Sequence, residues 1–418
     1  MLNGFKKNQL FIWALYDFAN SFALITFFLY YSQWLVVDKG VSDFWFNMTF
    51  VGSSLLFLLT VPVAGQVADK IGINLPGLRK TTFLSAFFFF LTGLIASVWP
   101  DYYIISIITF SLATYLYLFC FTYYNPLLKD VAEPRHQGLA SGWGQFGNWL
   151  GEITGLLVAL PFAAGTFHLW GQTGRTQTLI PAAILFLIFA LPMLLFFKES
   201  HPRNEVTVKV QAEFKSIWRS FVKLCQSPGL GLFFLSYFFF NDAVTTASNN
   251  FPIYVEKLFG VSDSVKSFVL MGILIASAIG APISGLIADR IGQKKALLWV
   301  LGGWIVIFPL MAIAHNFTFF IFVVIAMGLW FGAVWTVTRS YLMSITPPAM
   351  INQSFTYYTL MERLATFIGP ISWGLIVVYT PKADALNYRL AAVMMAIFVL
   401  IGIIFARNLP EVNADIKR

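Results

Sequence analysis

Apolar residues run along this chain in long unbroken blocks, separated by short polar stretches. A helix that crosses the ~30 Å hydrocarbon core of a bilayer needs about 20 apolar residues, and it satisfies its own backbone hydrogen bonds there. Blocks of that kind predict twelve spans, at residues 10–32, 45–68, 81–99, 102–124, 139–163, 178–197, 230–255, 265–288, 296–314, 318–343, 354–378 and 390–406. The first block follows Lys6 and Lys7, as in a signal peptide, but it carries Asp17 and has no small-x-small cleavage site before its end. It reads as a retained first span.

The longest polar gap divides the chain. It separates a first bundle (1–197) from a second (230–406), with a linker at 198–229 and a tail at 407–418. Within the linker, Phe214, Ile217, Trp218, Phe221 and Val222 recur at helical spacing, and Lys215, Arg219 and Lys223 form a basic stripe, the pattern of a helix lying on a membrane surface against anionic lipids. The two bundles echo each other. PVAGQVADKIG at 62–72 recurs as PISGLIADRIG at 282–292, so that Pro62, Gly65, Ala68, Asp69, Ile71 and Gly72 match Pro282, Gly285, Ala288, Asp289, Ile291 and Gly292. Each copy closes the second span of its half and leads into basic residues, Arg79 and Lys80 or Lys294 and Lys295. A duplicated six-span unit follows.

Composition supports the bilayer. Hydrophobic residues make up 58% of the chain and charged residues 11%, against about 25% charged in soluble domains. The net charge of +8 could point to nucleic acid, but the positions of the cations argue otherwise. Lys39, Arg175, Lys257, Lys382 and Arg389 occupy one set of loops, Lys266, Arg339 and Arg363 lie within spans, and all other lysines and arginines fall in the alternate set with both termini. The positive-inside rule then places both termini in the cytoplasm. Cys120 and Cys225 offer neither a zinc spacing nor a disulfide framework, and His136, His168, His201 and His315 are scattered. With no phosphate-binding glycine loop either, no cofactor, metal or nucleotide chemistry is expected.

Candidate chemistry therefore rests on charges inside spans. A carboxylate at the bilayer centre costs about 2.5–3.5 kcal/mol on insertion scales, so it faces a cavity or a partner. Asp17, Glu152, Asp242 and Glu362 are of this kind. Asp17, Asn20 and Ser21 share a face of the first span; on the seventh, Asp242, Thr245, Thr246 and Asn249 make a wholly polar stripe next to Asn241. These stripes are expected to line a pathway for a small-molecule substrate and protons; the alternative is that they bond neighbouring helices and hold the fold. Gln145 and Asn148 on the fifth span, beside Trp143 and Trp149, are further lining candidates. Arg363 can bind a substrate carboxylate or balance a protein carboxylate, and the sequence leaves both open. Arg339, near one end of the tenth span, can reach headgroups or close a gate. Asp69 and Asp289, each followed by a base (Lys70, Arg290) and then by Arg79 and Lys80 in the first copy, read as latches that control conformation.

The G-x-x-A-D-[KR]-x-G element after the second span of each half resembles that of the major facilitator superfamily. WALYDFANS (Trp13 to Ser21), YFFFNDAVTT (Tyr237 to Thr246) and the run from Arg339 through Pro348 to Arg363 and Gly369-Pro370 resemble, more narrowly, the vacuole effluxer-like family, which includes the vacuolar amino-acid exporter of fungi. The resemblance implies an all-α membrane protein of twelve transmembrane helices in two pseudo-symmetric six-helix halves, rocking to give alternating access. It also implies that the fifth and eighth spans face each other, where Gly147, Gly151 and Gly155 would meet Gly272, Ala276, Gly280 and Ser284 in a sliding contact. One departure stands out: INLPG (Ile73 to Gly77) displaces Arg79 from the compact spacing of the superfamily element.

The expectation is a secondary transporter of a small polar solute, coupled to protons, with amino acids the leading class by resemblance. It is expected to be monomeric, in contact with membrane lipids and to sit in a bacterial inner membrane. A membrane enzyme would need a catalytic cluster at one interface, and a receptor on this fold would carry a signalling domain; the sequence shows neither.

Overall fold

The computed structural model describes residues 6–41, 43–71, 74–169, 174–200, 222–261, 263–365, 368–381 and 383–411. Among them every regular element is helical. The principal helices are α1 (Lys7–Thr26), α2 (Asp43–Ile71), α3 (Leu75–Val98), α4 (Tyr103–Tyr124), α5 (Gln137–Ala163), α6 (Leu179–Phe196), α7 (Leu230–Phe259), α8 (Asp263–Ile291), α9 (Gln293–Ile313), α10 (Phe317–Ile345), α11 (Ile351–Leu364), α12 (Ile368–Tyr379) and α13 (Leu386–Arg407). Eleven spans among the described residues are long and apolar enough to cross a membrane, α11 and α12 together forming one. The second predicted span corresponds to α2, whose described apolar stretch is Gly52–Val61. Most of the linker helix predicted at 214–223 lies outside the described residues.

The chain packs as two compact units. One comprises Met1–Ala132, Gly147–Ile217 and Ala349–Thr356; the other comprises Glu133–Phe146, Trp218–Pro348 and Tyr357–Arg418. In the first, α1 packs on α6, α3 on α4 and α6, and α2 on α4. In the second, α8 packs on α10, α7 on α13, and α9 on α10 and α13. Both cores are aromatic: Trp13 stacks on Tyr124 at 4.8 Å in the first, and Tyr237 on Tyr358 at 4.4 Å in the second. Such pairs gain about 0.5–1.5 kcal/mol beyond their burial, which matters where lipid is as apolar as the core.

Two departures from the predicted spans bear on the site. The third helix begins at Leu75 rather than near residue 81, because the inserted segment supplies its first turn. Pro76 suits that turn, where its missing N–H is not needed, and both oxygens of Glu199 accept the free amides of Asn74 and Leu75, at 2.7 and 2.8 Å. The eleventh span is described in two pieces, α11 to Leu364 and α12 from Ile368, with residues 366–367 outside the described ones; Pro370 sits in the first turn of the second piece, where its missing N–H is not needed.

Candidate functional site

In the first unit, the aromatic residues of the first span tie it to its neighbours, while its polar ones face the interior. Tyr124 Oη donates to the Trp13 carbonyl at 2.8 Å, and Tyr16 Oη pairs with Thr82 Oγ1 at 2.5 Å, which fixes α1 against α4 and α3. That orientation carries Asp17, 1% exposed, and Asn20 into the interior. Asn20 donates to the Tyr16 carbonyl at 3.0 Å, while its Oδ1 is buried without a hydrogen-bond donor. Ser21 donates to Asn148 Oδ1 at 2.5 Å, and Asn148 Nδ2 donates to Glu152 Oε1 at 3.3 Å. This Ser21–Asn148–Glu152 chain links the first and fifth spans. Glu152 has no cation beside it among the described residues.

The glycines of α5 explain how the two helices come so close. A Cβ at Gly147, Gly151 or Gly155 would strike the carbonyl oxygens of Ala14, Phe18 or Phe22 in turn. The stripe therefore serves α1, not the eighth span, which corrects the expected sliding contact. On the eighth span Gly280 fits against Leu329, and Gly328 and Gly332 of α10 fit against Ile273 and Ser277. The fifth and eighth spans do meet, but earlier: a Cβ on Gly138 would lie 2.6 Å from the Gly285 carbonyl oxygen, and one on Gly142 2.7 Å from that of Ala281.

In the second unit Asp242 is 1% exposed in the middle of α7. Its Oδ2 accepts the backbone N–H of Gly369 at 2.6 Å, and its Oδ1 accepts from Thr246 Oγ1 at 3.4 Å. Gly369 lies in the first turn of α12, where the backbone N–H groups have no partner within the helix, so the carboxylate closes one of them from outside. No cation stands beside Asp242 among the described residues. Thr245 is half-buried and Asn249 is exposed, while Asn241 is buried with its Oδ1 lacking a donor.

Glu362 has different company. Arg363, Tyr237, Arg339 and Trp335 surround it. Tyr237 stacks on Tyr358, whose hydroxyl pairs with Thr338 Oγ1 at 3.0 Å. Arg339 is 3% exposed and does not reach headgroups; its Nε donates to Ser141 Oγ at 2.9 Å and Nη2 to the Ser141 carbonyl at 2.8 Å. Ser141 in turn donates to the Thr336 carbonyl at 2.9 Å. The first part of α5 is thus gripped by α10, and α8 grips it again at its tip. Asp289 accepts the N–H groups of Gly138 and Leu139 with one oxygen each, at 2.8 and 2.7 Å, an acidic side chain at the positive end of a helix. Gln293 donates to Asp289 Oδ1 at 3.1 Å and accepts from Ser340 at 2.6 Å, tying α8, α9 and α10 into the same clasp.

The first copy of the repeated element is arranged otherwise. Arg79 Nε donates to the Leu194 carbonyl at 2.6 Å, at the end of α6, and Lys80 and Arg290 are exposed. The side chain of Asp69 lies outside the described residues. Gln145 and Arg363 are half-buried. Sequence reasoning missed Ser141, Gln293, Gly369 and Glu199. Only Gly369 left a trace, as the glycine before Pro370 at a helix start. Among the described residues no cluster of histidine, cysteine and acids could hold a metal.

Duplicated helical bundles with buried acids inside the spans define a polytopic membrane transporter. The family model of the Major Facilitator Superfamily matches residues 10–245 and 233–418, and the chain belongs to that superfamily. It is 24% identical to an uncharacterized MFS-type transporter, YxiO, of Bacillus subtilis over 98% of this chain and 96% of that one. It is 24% identical to the multidrug resistance protein MdtG of Proteus mirabilis over 94% of each. In fold it is similar to the human organic anion transporter MFSD10 (TM-score 0.72, 12% identity, 96% of this chain and 99% of that one). It is also similar to the proton:xylose symporter XylE (TM-score 0.70, 14% identity, 98% and 96%). The protein is a multi-pass integral membrane transporter and not an enzyme.

Proposed function

We propose that the protein is a secondary active transporter of a small polar solute, working by alternating access and coupled to protons through Glu152 and Asp242. The observation that carries this reading is the state of those two carboxylates. Each sits inside a span, held by neutral donors, with no cation beside it among the described residues. A carboxylate so placed can be neutralised only by a proton or by a cationic part of the cargo, and exchange of either across the membrane is transport. Glu362 and Arg363 serve as fixed charges. Asp17, Asn20, Gln145, Asn148, Asn241, Thr245, Thr246 and Asn249 line the route. Asp289 and Arg339 act as the gate, with Asp69, Arg79, Lys80 and Arg290 in supporting roles.

Amino acids are the leading substrate class, from the resemblance to the vacuole effluxer-like family. Both termini are assigned to the cytoplasmic side of a bacterial inner membrane by the distribution of lysine and arginine, and the working unit is the monomer. The two bundles, 1–197 and 230–406, act as the moving halves. A second reading, export of amphipathic drugs, is favoured by the full-length similarity to MdtG. Purified protein in liposomes under an imposed pH gradient, offered amino acids, sugars, organic acids and lipophilic cations, separates the two. Gradient-driven flux of an amino acid supports the first, and flux of lipophilic cations alone overturns it.

A further inference from the structure

The described start of α12 lies beside a carboxylate on another helix, and the fit between them is close. Gly369 donates to Asp242 at 2.6 Å, and a Cβ on Gly369 would lie 2.6 Å from Asp242 Oδ1 and closer still to Thr246 Oγ1. Only glycine leaves room for this bond. Both partners are buried, so water does not compete for the amide. The bond also joins α7 to the first turn of α12.

We infer that Asp242 is a positioning residue for the outer part of the eleventh span: its charged carboxylate pins the first turn of α12 to α7, and neutralising it releases that turn. The inference rests on the proposed role of Asp242 in proton coupling and says what the proton does there. A charged acceptor bonds an N–H about twice as strongly as a neutral one, so protonation weakens the pin without breaking any covalent link. The elements packed against α7 are α8, α10, α12, α13 and the short turn Ala383–Ala385, which carries Asp384, and α11 touches it through Tyr358 on Tyr237. Among the described residues none of them brings a charged or titratable side chain to Asp242; α12 brings the Gly369 N–H, and α7 itself brings Thr246. Glu362, Arg339, Tyr237 and Tyr358 are grouped around a different stretch of α7, five residues earlier. The pin is therefore governed by the proton on Asp242 alone.

Hydrogen exchange of residues 368–379 in the full-length protein in lipid nanodiscs tests this, at acidic and alkaline pH after correction for intrinsic rates. In the native protein the segment should exchange about fivefold faster in acid, the change expected when a charge-assisted bond becomes a neutral one. Asp242→Asn should give the fast rate at both pH values. Gly369→Ala, which keeps the carboxylate but blocks the bond, should do the same. The Asn variant is isosteric and guards against misfolding of the Ala variant, which is checked by monodispersity. Equal protection in the native protein and Asp242→Asn, or a native pH response in Gly369→Ala, overturns the inference. Flux decides the underlying reading separately: if Asp242→Asn loses gradient-driven transport while exchange of 368–379 is unchanged, coupling stands and the pin falls.

Discussion

Asp242 and Glu362 lie on the seventh and eleventh spans of one unit, and they illustrate two ways of keeping an acid inside a membrane protein. Asp242 is held by a backbone N–H and a hydroxyl; Glu362 is ringed by two arginines and by aromatic side chains. An acid paired with arginine has its charge already answered, and removing it strands the cations. An acid held by neutral donors strands no opposite charge when protonated and gives up only its own bonds, so it can change charge state at a local cost. The first arrangement suits a fixed strut, the second a group that cycles.

The comparison is sharpened by breaking each partner in turn. Glu362→Gln should lower stability most, by about 3 kcal/mol, because Arg339 and Arg363 lose their counter-charge; thermal unfolding in detergent reads this, and a drop below that of Asp242→Asn would remove the distinction. Asp289→Asn should weaken the hold on the tip of α5 by about 2 kcal/mol, two charge-assisted bonds becoming neutral or lost. An Ala140→Cys reporter, buried in the native protein, should then alkylate at least about tenfold faster. Asp242→Asn should cut gradient-driven uptake at least about tenfold while leaving the unfolding temperature close to native, a split that a structural acid would not produce. Glu199→Gln should cost only about 1 kcal/mol, since the glutamine oxygen still accepts one of the two amides, and it should leave transport unaltered.

The last of these points to a second contrast, between the two copies of the repeated element. In the second copy the helix after the element starts at once, and Asp289 grips the amides of α5. In the first, INLPG intervenes, and the amides of Asn74 and Leu75 take Glu199 while Arg79 turns to the end of α6. The insertion has diverted the basic residue from the superfamily spacing into bracing the sixth span. Duplication was legible in the sequence; the divergence in use was visible only as an awkward spacing.

What could be read from residues alone follows the same physical line. Spans were legible because crossing hydrocarbon demands length and apolar composition, which leave a one-dimensional record. The pairing of glycine stripes was not. Gly147, Gly151 and Gly155 announce a close helix, but periodicity does not say whether α1 or α8 fills the groove, and it is α1. From the sequence Arg339 reads as a headgroup or gate residue; its grip on Ser141 depends on two helices meeting across a long sequence separation. The polar stripe on α7 reads as one face, yet the structure spreads it from buried Asp242 to exposed Asn249. The acid that accepts the Gly369 amide could not be read from the eleventh span, because it lies on another helix.

The most direct test is infrared difference spectroscopy of the purified protein through a pH titration, following the carbonyl band of protonated carboxylic acids. Signal that is lost in Asp242→Asn and in Glu152→Gln, and retained in Glu362→Gln, is the result predicted when the acids without cations carry the protons. A band that survives both of those substitutions and disappears with Glu362→Gln would contradict it.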